Sequence, residues 1–187
     1  PIKNSLTHQR SLHDFIQNNL DEDDAVFAVE GVGLYRPSTY HWRSSSIMMS
    51  NYYEGQYSIW EEISKVAPVL IVESYRIPKW LLEREEKSLY DHYVNIAPFL
   101  LTLGVSTSEG RNFNILKTGL YRIENSLSKT CVVNDRSIVS GEVILLERGD
   151  HVIQVAEGIC TISWAFSKSE ISPLQEYNGK NAYLLPP

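Results

Sequence analysis

The feature that most constrains the fold is an uninterrupted apolar run, Val69–Val72, which follows Pro68 and precedes Glu73. Its residues are all branched aliphatics that do not alternate with polar ones, so both faces of the segment need cover. Short runs rich in β-branched residues are typical of a central strand in a parallel sheet that helices cover on both sides. We therefore predict a central parallel strand over Val69–Glu73.

The rest of the first half alternates helical and strand-like segments. An amphipathic stripe predicts a helix over His8–Leu20, and a second apolar run predicts a strand over Ala25–Val29. The next predicted elements are a strand at Ser46–Met49, helices at Gln56–Ala67 and Pro78–Tyr93, and a strand at Asn95–Gly104. This order favours an α/β fold, a three-layer domain with a mainly parallel sheet, over residues 1–105.

The pattern changes near residue 106, beyond which the apolar runs are short and turn residues separate them. The runs are Phe113–Leu116, Leu120–Ile123, Cys131–Val133, Val143–Leu146, His151–Val155 and Ile159–Phe166. Evenly spaced short strands between Gly, Asn and Asp turns are typical of an antiparallel sandwich. We predict a small antiparallel β-sandwich domain over residues 106–187, with an irregular C-terminal tail.

Composition and charge restrict the classes of function. The chain of 187 residues has a formal net charge of −6, and its Lys and Arg residues do not cluster, so a nucleic-acid partner is not expected. The longest apolar stretch, Ile96–Val105, is too short to cross a bilayer. Because the chain begins with a proline and not with Met, we expect it to be part of a longer protein.

Signatures of catalysis and of cofactor binding are missing from the sequence. Gly31 and Gly33 follow a predicted strand, but Arg36 occupies the third glycine position of the dinucleotide fingerprint. No Gly-x-Ser-x-Gly motif places a nucleophile, and the five histidines lack metal-binding spacing. We expect no catalytic residue, no metal and no cofactor in this chain.

The two cysteines, Cys131 and Cys160, leave two interpretations open. Outside the cytosol a bridge between strands of the sandwich is expected, whereas in the cytosol they would be two buried thiols. His151 and Trp164 alternate onto apolar faces of their strands. We expect them to be core residues and not ligands of a metal or a sugar.

The best candidate for a binding site is the loop between Tyr35 and Tyr53, which leaves the carboxyl end of a predicted parallel strand. Open α/β sheets place ligands at that end of their strands. Aromatic faces suit sugar rings, and Arg suits phosphate through paired hydrogen bonds. The alternative is that the aromatic side chains pack the loop against the sheet. The candidate ligand-binding residues are Tyr35, Arg36, Tyr40, Trp42 and Arg43.

Several of these segments carry a family resemblance. A Tyr35-Arg36-Pro37 loop with Trp42 further on is followed in the second half by Gly119-Leu-Tyr121 and Gly149-Asp-His151-Val-Ile153. In this order the segments resemble the soluble C-terminal region of polytopic membrane glycosyltransferases that use lipid-linked sugars, of the dolichyl- or polyprenyl-phosphate-mannose type. The resemblance covers most of residues 8–166, and none of its motifs is catalytic.

The resemblance implies a non-catalytic domain that caps the active site and helps to position an acceptor or a lipid-linked sugar. Its partner would be the transmembrane portion of the same polypeptide, and its ligand a glycan or a polyprenyl-phosphate sugar. The family's acidic catalytic residue lies in a loop among transmembrane helices, which this chain lacks. The implied location is the extracytoplasmic, periplasmic face of the membrane. The alternative is a free-standing extracytoplasmic carbohydrate-binding module whose sandwich carries the site.

Overall fold

The computed structural model describes residues 5–29, 46–73, 80–127 and 130–166. The helices of this part are α1 (Ser5–Asn19), α2 (Ser46–Tyr53), α3 (Ile59–Val66) and α4 (Glu83–Tyr90). The strands of its first half are β1 (Val26–Ala28), β2 (Leu70–Val72), β3 (Tyr93–Ala97) and β4 (Leu100–Thr107). The later strands are β5 (Arg111–Ile115), β6 (Gly119–Asn125), β7 (Thr130–Val133), β8 (Arg136–Val139), β9 (Val143–Leu146), β10 (Gly149–Gln154) and β11 (Cys160–Trp164).

The strands form two sheets. A mixed sheet of seven strands has the order β1-β2-β4-β11-β6-β9, with β3 also paired to β4, and the order of the four-stranded antiparallel sheet is β5-β10-β7-β8. The described part of the chain is mostly β, because its strand residues outnumber its helical residues. The predicted α/β fold, a three-layer domain with a mainly parallel sheet, is therefore wrong. Among the described strands, β1 and β2 are the one parallel pair, and every other pairing is antiparallel.

The neighbourhood of β2 agrees with the sequence. All three of its residues are buried, and β2 lies between β1, which is parallel to it, and β4, which is antiparallel. The register pairs Val26 with Leu70 and Ala28 with Val72. The predicted strands at Ala25–Val29 and Val69–Glu73 are confirmed. Strand β2 shares one hydrophobic cluster with buried residues of α1 and α3, including Ile16 and Ile63.

Two predicted strands of the first half are wrong. Ser46–Met49 forms the start of helix α2. The run at Asn95–Gly104 is not one strand, because it folds back on itself as the hairpin of β3 and β4. The reversal falls at Phe99, whose φ is +61°, a left-handed conformation that bulky residues seldom adopt. A parallel sheet would need a crossover helix at this point. The hairpin instead connects β3 and β4 as antiparallel neighbours.

Strand β4 joins the two halves of the chain. Its residues 100–103 pair with β2 and β3, and its residues 104–107 pair with β11. The boundary expected after residue 105 therefore lies inside β4, and one hydrophobic cluster extends from Leu12 to Phe166. The division into domains over residues 1–105 and 106–187 stays a prediction.

Cys131 on β7 and Cys160 on β11 form a disulfide bond, and both residues are buried. The bond connects the four-stranded sheet to the seven-stranded sheet, because β7 and β11 belong to different sheets. Of the two interpretations that the sequence left open, the bridge is the one that the structure shows. The sandwich-like arrangement of the second half is thus held together covalently as well as by packing.

Replacing both cysteines by alanine should lower the free energy of unfolding. The bond closes a loop with a sequence separation of 29 residues. Loss of that constraint on the unfolded chain should cost about 3–4 kcal/mol. Urea unfolding of Cys131→Ala/Cys160→Ala measures the change, and wild type in a thiol reductant is the matched comparison. An unchanged midpoint in both would contradict the stabilising role of the bond.

Gly104→Ala should disrupt the junction between β4 and β11. A Cβ at this position would overlap the Ile162 carbonyl oxygen and lie 2.9 Å from Ser163 Cα, so the backbones would have to separate. We expect a loss of about 3 kcal/mol or more, or failure to fold. The control is Gly110→Ala, whose Cβ would meet its nearest atom, the Ile153 carbonyl oxygen, at an ordinary 3.4 Å. Equal midpoints for the two variants would show that the close approach is not needed.

Candidate functional site

The carboxyl edge of the parallel pair β1 and β2 is the best candidate for a functional site. The Val29 amide donates to the Val72 carbonyl oxygen over 2.9 Å, so the two strands remain paired up to this edge. Residues 30–45 follow β1 in the chain and residues 74–79 follow β2. Because the two strands are parallel, both segments begin at the same edge of the sheet.

The site residues predicted from the sequence belong to the first of these segments. Residues 30–45 lie outside the described part of the chain, and the predicted set lies wholly within them. This set consists of Tyr35, Arg36, Tyr40, Trp42 and Arg43. Their role in ligand binding therefore stays a prediction. Of the same aromatic loop, the structure describes Tyr52, which is buried, and Tyr53, which is exposed.

Glu73 stands at this edge, directly after β2. Its backbone amide donates to the Phe99 carbonyl oxygen over 2.9 Å. Its carboxylate Oε1 accepts a hydrogen bond from Nε1 of Trp80, at 3.1 Å. Trp80 is itself buried, with its ring centroid 5.4 Å from that of Phe27 on β1. The carboxyl group is thus held in one orientation by side chains that are packed in the core.

Burial makes the carboxyl group of Glu73 resist ionisation. Desolvation raises its pKa above the ordinary value of 4.5, and the hydrogen bond from Trp80 offsets only part of that effect. The pKa of the half-exposed Tyr90 is raised as well, first by burial and then by the negative charges of Glu73 and Glu86. The phenol of Tyr90 can donate a hydrogen bond to a ligand oxygen, and the carboxyl oxygens of Glu73 can accept one from a ligand hydroxyl group. Perturbed groups of this kind are typical of functional sites.

Behind this edge, a buried network fixes helix α4. Glu85 is buried, and its Oε2 accepts hydrogen bonds from the Tyr52 hydroxyl and from the Trp60 amide, each at 3.2 Å. The Tyr52 hydroxyl in turn accepts from the Leu82 amide at 2.7 Å. Burial raises the pKa of Tyr52, so the hydroxyl remains a donor to Glu85. Tyr52 is therefore a packing residue, as the alternative explanation of the aromatic loop proposed.

His151 and Trp164 make structural contacts, but neither is the buried core residue that the sequence predicted. His151 donates from Nε2 to the Glu147 carbonyl oxygen at 2.8 Å and accepts at Nδ1 from Asn134 Nδ2 at 2.7 Å, which ties two turns together. Trp164 packs edge-on against Tyr121, with 5.4 Å between the ring centroids. Both residues are only partly buried. The ring nitrogens of His151 are hydrogen-bonded, and the ring of Trp164 packs against Tyr121.

Glu73 is the site residue that sequence reasoning missed. The available signal was its position, since it is the first polar residue after the fully buried strand β2. Its partner Trp80 could not be inferred, because the contact depends on how the chain returns from β2 to α4.

Within the described residues, no group of three or more His, Cys, Asp or Glu side chains could hold a metal ion. None of the described helices has the length and apolar character needed to cross a membrane. Comparisons with protein-family models, with curated proteins and with solved structures find no match.

Glu73→Gln should reduce the loss of stability that accompanies rising pH. Because folding raises the pKa of Glu73 above 4.5, its favourable contribution is full at lower pH and disappears as pH rises through the raised value. The variant keeps the acceptor for Trp80 but cannot ionise. Urea unfolding at a series of pH values measures the effect, with the exposed Glu157→Gln as control. A pH dependence in Glu73→Gln as steep as in wild type would contradict the assignment.

Proposed function

We propose that the chain is a non-catalytic accessory domain of a membrane-embedded glycosyltransferase. It caps the active site and helps to position an acceptor or a lipid-linked sugar. Its partner is the transmembrane portion of the same polypeptide, and it lies at the extracytoplasmic, periplasmic face of the membrane. The observation that carries the proposal is the desolvated Glu73 at the carboxyl edge of β1 and β2, where residues 30–45 also begin.

The side-chain types in the segment that follows β1 fit a phosphate-linked sugar. Arg36 and Arg43 offer planar guanidinium groups for phosphate oxygens. Tyr35, Tyr40 and Trp42 offer aromatic faces for a sugar ring or a prenyl chain. The carboxyl oxygens of Glu73 supply acceptors for sugar hydroxyl groups at the same edge. Together these groups match the two parts of a lipid-phosphate sugar.

The disulfide supports the proposed location. Structural disulfides form and persist in oxidising compartments, which include the bacterial periplasm and the lumen of the secretory pathway. The Cys131–Cys160 bond is buried between the two sheets, as expected of a structural bond. An accessory domain on the extracytoplasmic side of a membrane would fold in such a compartment.

The alternative, a free-standing carbohydrate-binding module, receives less support from the sandwich strands. Such a module commonly uses exposed aromatic rings as platforms for sugars. Among the described residues, Tyr53 and Tyr90 have the most exposed aromatic rings, and both lie in the helical half. Trp164, the best aromatic of the sandwich, is occupied by Tyr121 and by Lys117. We therefore favour the accessory domain.

Arg36→Ala and Trp42→Ala should each weaken binding of a short-chain lipid-linked sugar. The probe is farnesyl-phosphate mannose in detergent micelles, titrated into the whole chain and followed by intrinsic fluorescence. Losing a charge-assisted hydrogen bond to phosphate should reduce the affinity of Arg36→Ala about 10-fold or more. The matched control for charge is the exposed Arg10→Ala on α1, which should bind as wild type does.

Two further probes separate the outcomes of this titration. Farnesol tests for binding of the lipid alone, and soluble mannotriose tests the carbohydrate-binding module. Wild-type affinity in both variants, or equal binding of farnesol and farnesyl-phosphate mannose, would overturn the proposed site. Binding of mannotriose without binding of the lipid-linked sugar would favour the alternative function.

A further inference from the structure

A polar groove lies away from the carboxyl edge, where the end of α4 meets strands β5 and β10. One part is an open pocket of about 280 Å³ that is lined by Asp91, His92, Arg111, Asn114 and Asp150, among others. A second, shallower depression of about 460 Å³ is formed by residues 106–111 and Ile159. Arg111 lines both, so the two depressions adjoin at this residue. The groove draws residues from both halves of the chain.

The groups in this groove are held in place by one another. Arg111 donates from Nη1 to Oδ1 of Asp91 at 3.1 Å, and Asn114 donates from Nδ2 to Oδ1 of Asp150 at 2.8 Å. His92 donates from Nδ1 to the Ser88 carbonyl oxygen at 2.7 Å, and its ring packs 4.9 Å from that of Trp60. Each side chain is therefore oriented before any ligand arrives, which lowers the entropic cost of binding.

Each of these side chains keeps a polar atom available to a ligand. Oδ2 of Asp91, Oδ2 of Asp150, Oδ1 of Asn114 and Nε2 of His92 have no hydrogen-bond partner within the described ranges. The Nε–H of Arg111 is buried and has no acceptor among the described residues, but 33% of the Arg111 side chain remains exposed.

The mixture of donors and acceptors selects the class of ligand. Three carboxylates, those of Asp91, Glu109 and Asp150, share the groove with a single guanidinium group, so an anion would be repelled. Acceptors interleaved with a fixed donor suit hydroxyl groups, which both donate and accept. The hydroxyls of Ser106 and Thr107 in the second depression extend the same chemistry.

We propose that this groove, from Asp91 and Asp150 to Ser106, binds a neutral carbohydrate, with Arg111 between two adjoining sugar subsites. The site goes beyond the proposed function, because it uses none of residues 30–45 and recognises an uncharged glycan in place of a lipid phosphate. The free acceptor atoms of Asp91, His92 and Asp150 each accept a hydrogen bond from a hydroxyl group of the sugar. The guanidinium Nη groups of Arg111 donate to sugar oxygens.

Two-dimensional amide NMR of the whole chain tests the proposal. The neutral probes are glucose, mannose, galactose and N-acetylglucosamine, and the anionic probes are glucuronate and inorganic phosphate, all at equal ionic strength. We expect at least one neutral sugar to shift the amides of Asp91, His92, Arg111 and Asp150, with millimolar affinity. Glucuronate should bind more weakly than glucose. The absence of shifts with every neutral sugar, or tighter binding of phosphate, would overturn the proposal.

Asp150→Asn tests the assignment of the groove with little risk to folding, since Asp150 is exposed and the variant keeps an oxygen for Asn114. The affinity for the neutral sugar should fall about 5- to 10-fold. Asp135→Asn, in the turn between β7 and β8, makes the same change of charge outside the groove and should bind as wild type does. Equal losses of sugar affinity in both variants would show that the effect comes from net charge alone and would overturn the site. Failure of farnesyl-phosphate mannose to bind at residues 30–45 would leave these shifts unchanged, so the two proposals fail separately.

Discussion

The close approach of β4 and β11 at Gly104 is the constraint on which the rest of the structure depends. The backbones come so near that the Ile162 carbonyl oxygen occupies the space that a side chain at residue 104 would need. The Gly104 amide donates to the His92 carbonyl oxygen at 2.8 Å, so the same residue also anchors the start of β3. Through this point β4 pairs with β2 on one side of residue 104 and with β11 on the other. Both candidate sites are therefore fixed relative to one strand.

A partly buried ion pair adds a second connection between the halves of the chain. Nζ of Lys117 lies 2.6 Å from Oδ1 of Asp24, whose side chain is only 10% exposed. Oδ2 of Asp24 accepts from the Asp21 amide, and Lys117 also lies over the Trp164 ring at 5.5 Å. Because desolvation offsets much of the attraction in such a pair, its role is better described as specificity than as net stability. The pair sets where the segment before β1 meets the connection between β5 and β6.

The sequence was sufficient for local features and insufficient for the pairing of strands. The run at Val69–Val72 predicted a buried strand correctly, because hydrophobic cover on both faces is a local property. The hairpin of β3 and β4 was missed because Phe99 adopts a positive φ that its residue type does not favour. In the prediction from sequence, β4 was the end of a single strand. Its pairing with β11, which lies more than fifty residues further along the chain, could therefore not be foreseen. The predicted parallel sheet followed from that one error.

The two candidate sites show the same division between local features and features that depend on the fold. Glu73 could have been singled out by its position after a buried strand, whereas its raised pKa depends on Trp80 and on burial that only the fold supplies. The groove around Arg111 had no sequence signal, because Asp91 and Asp150 are brought together by β5 and β10 from distant parts of the chain. Polar residues that meet only through the fold carry no motif.

Helix α4 and the residue that follows it link the two proposed sites. Tyr90, at the last turn of α4, responds electrostatically to Glu73 at the carboxyl edge, and the next residue, Asp91, pairs with Arg111 in the groove. The start of the helix is fixed by buried Glu85. The orientation of α4 therefore sets the position of Tyr90 at the carboxyl edge and of Asp91 in the groove. Loosening Glu85 would disturb both sites together, whereas changes at Glu73 or Asp150 act on one site each.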